Sequence, residues 1–203
     1  MKSKRLDGCT RREFLETVGL DERTLVLFTS DNGPWLGKGK HGGSALPLRD
    51  GKFSTYEGGM RMPCIARWPG RIPAGSACSE VCATVDLLAT FAGLVGAKLP
   101  RDRVIDGKDI QPLLSAKPGA KSPHEAFYYY RGNKLEAVRS GKWKLRRTKQ
   151  TELYDLEADI SEKNNLASEH PEIVAQLTKM MKEFDEQLKA NRRPAGKVSG
   201  ERK

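Results

Sequence analysis

Asp31 and Asn32 stand side by side, a carboxylate next to a carboxamide oxygen. Oxygen donors of this kind suit a hard cation such as Ca2+ or Mg2+. The surrounding Ser30-Asp31-Asn32-Gly33-Pro34 is also ordinary turn chemistry, because Asx side chains bond their own backbone. Some twenty residues on, Lys52 lies in the glycine-rich stretch Asp50-Gly51-Lys52-Phe53-Ser54-Thr55-Tyr56-Glu57-Gly58-Gly59. There an ammonium can meet an anionic group as a point charge. Between the two segments, His41-Gly42-Gly43 puts an imidazole within a loop's reach of the same ligand. Taken singly, each has a plain explanation: a turn, a solvated lysine, a loop histidine. His124 and His170 read as structural, near a strand start and a helix start.

The elements around these residues follow from pattern. Thr24 to Thr29 is a continuous apolar run, the signature of a strand buried on both faces of a helix-covered parallel sheet. It stops at the Asp31 turn, and ligands gather at the carboxyl ends of such strands. Residues 35 to 60 form a long glycine-rich loop, a common home of function. Met62 to Trp68 reads as a second strand, stopped by Pro69-Gly70. A helix capped at Thr84 or Asp86 carries Leu87, Leu88, Phe91, Leu94 and Val95 as a core stripe and closes on Gly96. Residues 97 to 123 read as connecting loop. Four short runs at 126–130, 135–139, 142–147 and 152–156 form an antiparallel meander. A last helix enters at His170-Pro171, with Ile173, Val174, Leu177, Met181, Phe184 and Leu188 as its apolar stripe. Residues 191–203 read as a disordered tail.

Hydrophobic residues make up 37% and charged residues 31% of the 203, which sets the chain outside the disordered class. No apolar run is long enough to span a membrane. The net charge of +10 gathers in Lys2 to Arg12, in Lys142 to Lys149 and in the tail, and favours anionic partners. Solvated tails and a solvated strand edge explain the same excess. None of Cys9, Cys64, Cys78 and Cys82 forms a C-x-x-C pair, so the redox compartment stays open. Thr10-Arg11-Arg12-Glu13-Phe14-Leu15 resembles a twin-arginine export signal, which implies a periplasmic or extracellular address. The apolar continuation such a signal needs is replaced by Asp21-Glu22-Arg23. An amphipathic helix with Phe14, Leu15 and Val18 on one face is the alternative.

Together the two glycine-rich segments carry more than either alone. The series runs Ser30-Asp31-Asn32-Gly33-Pro34, Gly51-Lys52-x-x-Thr55-Tyr56-Glu57-Gly58-Gly59-x-Arg61-x-Pro63 and Trp68-Pro69-Gly70-Arg71. It continues with Asp86-Leu87-Leu88, Asp106-Gly107-Lys108-Asp109 and Leu153-Tyr154-Asp155-Leu156. From about residue 21 to 190 the series resembles the arylsulfatase family in collinear order. The resemblance implies an α/β fold: a partial alkaline-phosphatase-like core at 21–123 and a small C-terminal domain at 124–190 with an antiparallel sheet and terminal helix. Residues 1–20 would be the export-like segment. It also implies sulfuric ester hydrolysis on aryl or carbohydrate sulfates, by a hydrated formylglycine made from cysteine. One Ca2+ would have Asp31 and Asn32 among its ligands, Asp31 would also handle a proton, and Lys52 would bind the sulfate and stabilise the leaving oxygen. His41 is a further candidate for substrate contact, by its position in the intervening loop.

The family's nucleophile is a cysteine with Pro or Ala at +2 and Arg at +4, and none of the four cysteines has that pattern. The paired aspartates of the first strand are also missing, so the sequence reads as a C-terminal portion joined near Leu20 to an export-like start. Two other classes are weaker. A phosphate-transferring relative needs more metal-ligating histidines than the three present. A basic polyanion-binding module would act through Lys142 to Lys149, but no RNA-binding or zinc-finger pattern points to nucleic acid as a partner.

Overall fold

The computed structural model describes residues 10–193. The basic start up to Cys9, and the part of the expected tail beyond Arg193, lie outside the described residues. Thr10 caps helix α1 (Arg11–Thr17) in a reciprocal capping box with Glu13. Phe14 and Val18 stay exposed, so this short helix buries no apolar face. A 3-10 turn at Asp21–Arg23 leads into strand β1 (Val26–Thr29), and another at Leu36–His41 crosses the glycine-rich loop. A single helical turn, α2 (Glu57–Met60), precedes strand β2 (Cys64–Arg67).

Strands β1 and β2 pair antiparallel, with Phe28 opposite Ile65 and Leu27 opposite Ala66. The expected two-sided burial in a parallel sheet does not hold: Phe28 is 67% and Ile65 63% exposed. Apolar β-branched and aromatic residues favour the extended conformation, but burial needs a covering layer. The pair occupies a two-stranded sheet of its own among the described residues.

Helix α3 (Asp86–Leu94) sits where periodicity puts it, and Gly96 follows in the left-handed region at φ 68°. Its expected core stripe is only partly covered: Leu88, Phe91 and Val95 are exposed and Leu87 and Leu94 half-buried, while Asp86, Ala89 and Thr90 are buried. Neither Thr84 nor Asp86 is the N-cap, which is Val85 without a side-chain bond. The Asp86 carboxylate instead accepts from the Ala83 and Lys108 amides at 2.7 and 2.8 Å and faces His124 Nε2 at 2.7 Å. Thr90 Oγ1 accepts from the Ile110 amide at 3.0 Å. The buried face of α3 thus ties down the following loop. A short helix, α4 (Gln111–Leu114), interrupts that loop and buries Leu113.

Strands β3 (Phe127–Arg131), β4 (Lys134–Ser140), β5 (Trp143–Arg147) and β6 (Thr151–Asp155) form the meander in sequence order. Val138, Leu145 and Leu153 stand in register across three strands and share one face, by the two-residue alternation of strands. Helix α5 (Pro171–Ala190), with Pro at its first position, lays Leu177 and Met181 over that face. Its Phe184 ring stacks on Tyr128 at 3.7 Å. The core of the described chain lies here. The opposite face of the same sheet carries Tyr129, Arg139, Lys144, Arg146, Glu152 and Tyr154. A register shift at Tyr129/Tyr130 leaves Glu136 without a cross-strand partner.

Candidate functional site

The Asp31 turn and the Lys52 loop are laced together by backbone. Lys52 N donates to Pro34 O at 2.8 Å, and Gly33 N donates to Gly59 O at 3.0 Å. A Cβ on Gly33 would overlap the Gly58 carbonyl oxygen, so only glycine lets the two segments lie this close. Asp50 and Phe53, which bracket the lysine, both sit in the left-handed region at φ 63° and 76°. That conformation is unfavourable for residues with a Cβ, so the loop is held in shape by what surrounds it.

Asp31, Asn32, His41, Lys52 and Trp35 all line one broad open cleft of about 2400 Å3, which extends past β2 to the loop at 72–84. Asn32 Nδ2 donates to Asp31 Oδ2 at 2.7 Å, and Ser30 Oγ donates to Asn32 O at 2.9 Å. The Asx side chains thus bond each other rather than the backbone, and the Asp31 carboxylate remains exposed. Lys52 is half-buried, its Nζ 5.5 Å from the ring centres of both Trp35 and Phe53. Those rings meet edge to face at 5.6 Å. Lys52 forms no ion pair among the described residues, unlike Lys142, Lys144 and Arg146. An ammonium left unpaired in a cleft is free for an anion. His41 ends the 3-10 turn, exposed at the rim.

Asp31 and Asn32 offer the hard oxygen donors a divalent cation takes, but such a cation gathers roughly six to eight oxygens. No group of three or more His, Cys, Asp or Glu is assembled for a metal among the described residues. The two side chains fit as part of a ligand set, not as a whole one.

Beneath the Lys52 loop lies a charged network that sequence reasoning missed. Lys144, fully buried on β5, meets Glu57 Oε1 at 2.8 Å and Glu162 Oε1 at 2.9 Å. Glu162 Oε2 accepts from the Glu57 amide at 2.7 Å, and Tyr129 OH donates to Glu57 Oε1 at 2.8 Å. Burial pushes the Glu57 carboxyl up, but Lys144, Tyr129 and Arg139 outweigh it and hold the group below the ordinary range. At Glu162 burial prevails and the carboxyl sits above that range. Alongside, Thr55 Oγ1 donates to Glu136 at 3.0 Å, and Tyr56 is sandwiched between Arg49 and Arg146 while donating to Glu152 at 2.9 Å. The basic run at 142–149 is thus split by strand alternation. Lys144 and Arg146 point into this network, and Lys142 pairs with Asp155 at 2.6 Å. Of the cations in the run 142–149, Arg147 and Lys149 carry no carboxylate partner among the described residues. The usable signal was the alternation Trp143-Lys144-Leu145-Arg146, which places two cations on one face opposite an apolar set.

Comparison with known proteins places the Lys52 loop and the buried network, but not Asp31, Asn32 or His41, within a family match. The family model described as N-sulphoglucosamine sulphohydrolase, C-terminal, matches residues 48–190. N-acetylgalactosamine-6-sulfatase of Rattus norvegicus is 45% identical over 131 residues, which are 64% of this chain and 24% of that protein. Arylsulfatase A of Homo sapiens is 45% identical over 132 residues, 63% of this chain and 25% of that protein. The chain therefore spans about a quarter of the length of these curated relatives. Among solved structures, a sulfatase from Pseudoalteromonas sp. superposes with a TM-score of 0.79 at 28% identity, covering 87% of this chain and 40% of that one. Another, solved in complex with a neocarrahexaose, gives a TM-score of 0.76 at 30% identity, covering 90% and 40%.

Proposed function

The chain belongs to the sulfatase family, of which it carries the C-terminal portion, and we propose that it contributes the sulfate-binding side of a sulfuric ester hydrolase site. The observation that supports this most directly is the lacing of the Asp31 turn to the Lys52 loop, which turns one unpaired ammonium and an exposed carboxylate toward a common cleft. In this reading the Lys52 ammonium donates to a sulfate oxygen. It then stabilises the leaving oxygen as negative charge develops there, an effect that grows toward the transition state. The Asp31 carboxylate holds or passes a proton at the ester. His41, at the rim, contacts the rest of the substrate.

A divalent cation, Ca2+ by family, would supply Lewis-acid charge beside the sulfate, and Asp31 and Asn32 have the donor chemistry to help hold it. None of the four cysteines has the formylglycine pattern. The roles proposed for this chain therefore stop at binding, the proton and the leaving oxygen. Sulfated carbohydrate is the substrate class proposed. The exposed Trp35 and Phe53 beside Lys52 offer ring faces to a sugar, in keeping with the solved neighbour that holds a neocarrahexaose. The twin-arginine-like segment is proposed as an export address.

The test is a titration of inorganic sulfate and of a sulfated disaccharide, with Ca2+ present, read from the 15N resonance of Lys52 Nζ. Saturable shifts that vanish in Lys52→Ala support the reading. Binding that Lys52→Ala leaves unchanged, or no shift at Lys52 at all, overturns it.

A further inference from the structure

We infer that Lys144 is a positioning residue for the Lys52 cleft: together with Glu162 it fixes Glu57 at the start of α2, and so holds the Lys52 loop against the Asp31 turn. The inference rests on the reading of Lys52 as a sulfate-binding group. Lys144 touches nothing in the cleft. It lies on the sheet face turned away from α5, and its ammonium lies between two carboxylates at 2.8 and 2.9 Å with no exposure to solvent. Apolar residues of similar volume often stabilise as well as a buried ion pair does, so stability alone gives such a pair little reason to be there. What the arrangement supplies is geometry. Glu57 is the first residue of α2, and both its amide and its carboxylate are held from the C-terminal half, by Glu162, Lys144 and Tyr129. Arg139 Nη1 adds a weaker contact to Glu57 Oε2 at 3.6 Å.

From Glu57 the constraint passes directly into the loop. Gly58 N donates to Arg49 O at 2.8 Å, and Gly59 O accepts from Gly33 N at 3.0 Å. Lys52 N donates to Pro34 O at 2.8 Å. The bonds that bring Lys52 and Asp31 to one cleft thus start one residue away from the buried carboxylate. The loop needs such a hold, because Asp50 and Phe53 on either side of the lysine adopt left-handed conformations at φ 63° and 76°.

The test is backbone amide hydrogen exchange on the whole chain, residue by residue, in the parent and in Lys144→Met, Lys144→Arg and Glu162→Gln. In Lys144→Met, exchange at Gly33, Lys52, Gly58 and Gly59 should rise by about tenfold or more, while β4 and α5 amides change far less. Lys144→Arg, which keeps a cation in reach of both carboxylates, should recover most of the protection. Glu162→Gln, which keeps the shape but removes one of the two negative charges beside Lys144, should fall between. If Lys144→Met does not fold, the Arg and Gln variants carry the same comparison. Equal acceleration throughout the chain would make Lys144 merely structural, and no selective change at the four loop amides in any variant would equally overturn the inference. Exchange does not depend on sulfate chemistry, so this result and the sulfate titration of the parent fail separately. If the parent binds sulfate, Lys144→Met should bind it several-fold more weakly.

Discussion

Strand β1 is more apolar than β5, yet its Phe28 is 67% exposed, while Leu145, set between cations on β5, is fully buried. The helices repeat the contrast. Helix α3 is the more apolar, and it leaves Leu88, Phe91 and Val95 in solvent. Helix α5 mixes charged with apolar residues and still buries Leu177 and Met181. Local sequence decides that a segment is extended or helical. Burial depends on whether another element supplies a matching face, which is a property of the assembly. The meander and α5 supply such faces to each other. The β1–β2 ribbon and α3 present theirs uncovered among the described residues, and surfaces of that kind mark contact sites.

Four changes would break or sharpen this contrast. The largest effect is expected at Leu145→Ala in the closed half, where the lost packing costs about 2–5 kcal/mol in denaturant unfolding. A much smaller loss would mean that the meander is not the chain's stable core. Next comes Gly33→Ala in the other half. Its Cβ has no room beside Gly58, so the turn and the Lys52 loop should part, at a cost of about 1–3 kcal/mol. The loss should appear as faster exchange at Lys52 and Gly59, with the α5 amides unchanged.

Glu152→Gln should be milder, about 1–2 kcal/mol at neutral pH. Burial raises the Glu152 carboxyl, but the bonds from Arg146, Tyr154 and Tyr56 outweigh it and leave the group below its ordinary value of 4.5. Its stabilising contribution is therefore present above that value and lost as pH falls through the folded-state value. Stability curves of parent and variant should converge in acid, and a gap that persists at low pH would contradict the assignment. The smallest effect is expected at Phe28→Ser, which should move stability by less than about 0.5 kcal/mol. It should still reduce self-association in light scattering at high concentration, because the ring contributes to an exposed apolar face.

Much of this could be read from the sequence. The meander, the Pro-started final helix and the left-handed Gly96 follow from alternation, helical spacing and terminator chemistry, all of which are local. The meeting of the Asp31 turn and the Lys52 loop was legible only through the collinear series of motifs, since nothing within either segment specifies the other. The partial covering of the α3 stripe was not legible, because periodicity identifies an apolar face without saying what covers it. The inward turn of Lys144 was missed for a related reason. A run of cations looks solvated until the glutamates that neutralise it are brought in from other elements, Glu57 from far away in the chain and Glu162 from the loop after β6.

The Arg49 guanidinium reaches from the Lys52 loop to Tyr154 OH and to the Glu162 carbonyl, at 3.1 and 2.6 Å. With the Glu57–Lys144 pair, it makes the division between 123 and 124 a poor place to cut. A chimera that exchanged only the meander and α5 between homologues would leave unmatched charges on both sides of the seam. One that moved 48–190 in a single piece would carry Arg49 and Glu57 together with their partners on the sheet, and those are the residues the family model spans. For recombination, the loop that holds the lysine belongs with the sheet beneath it.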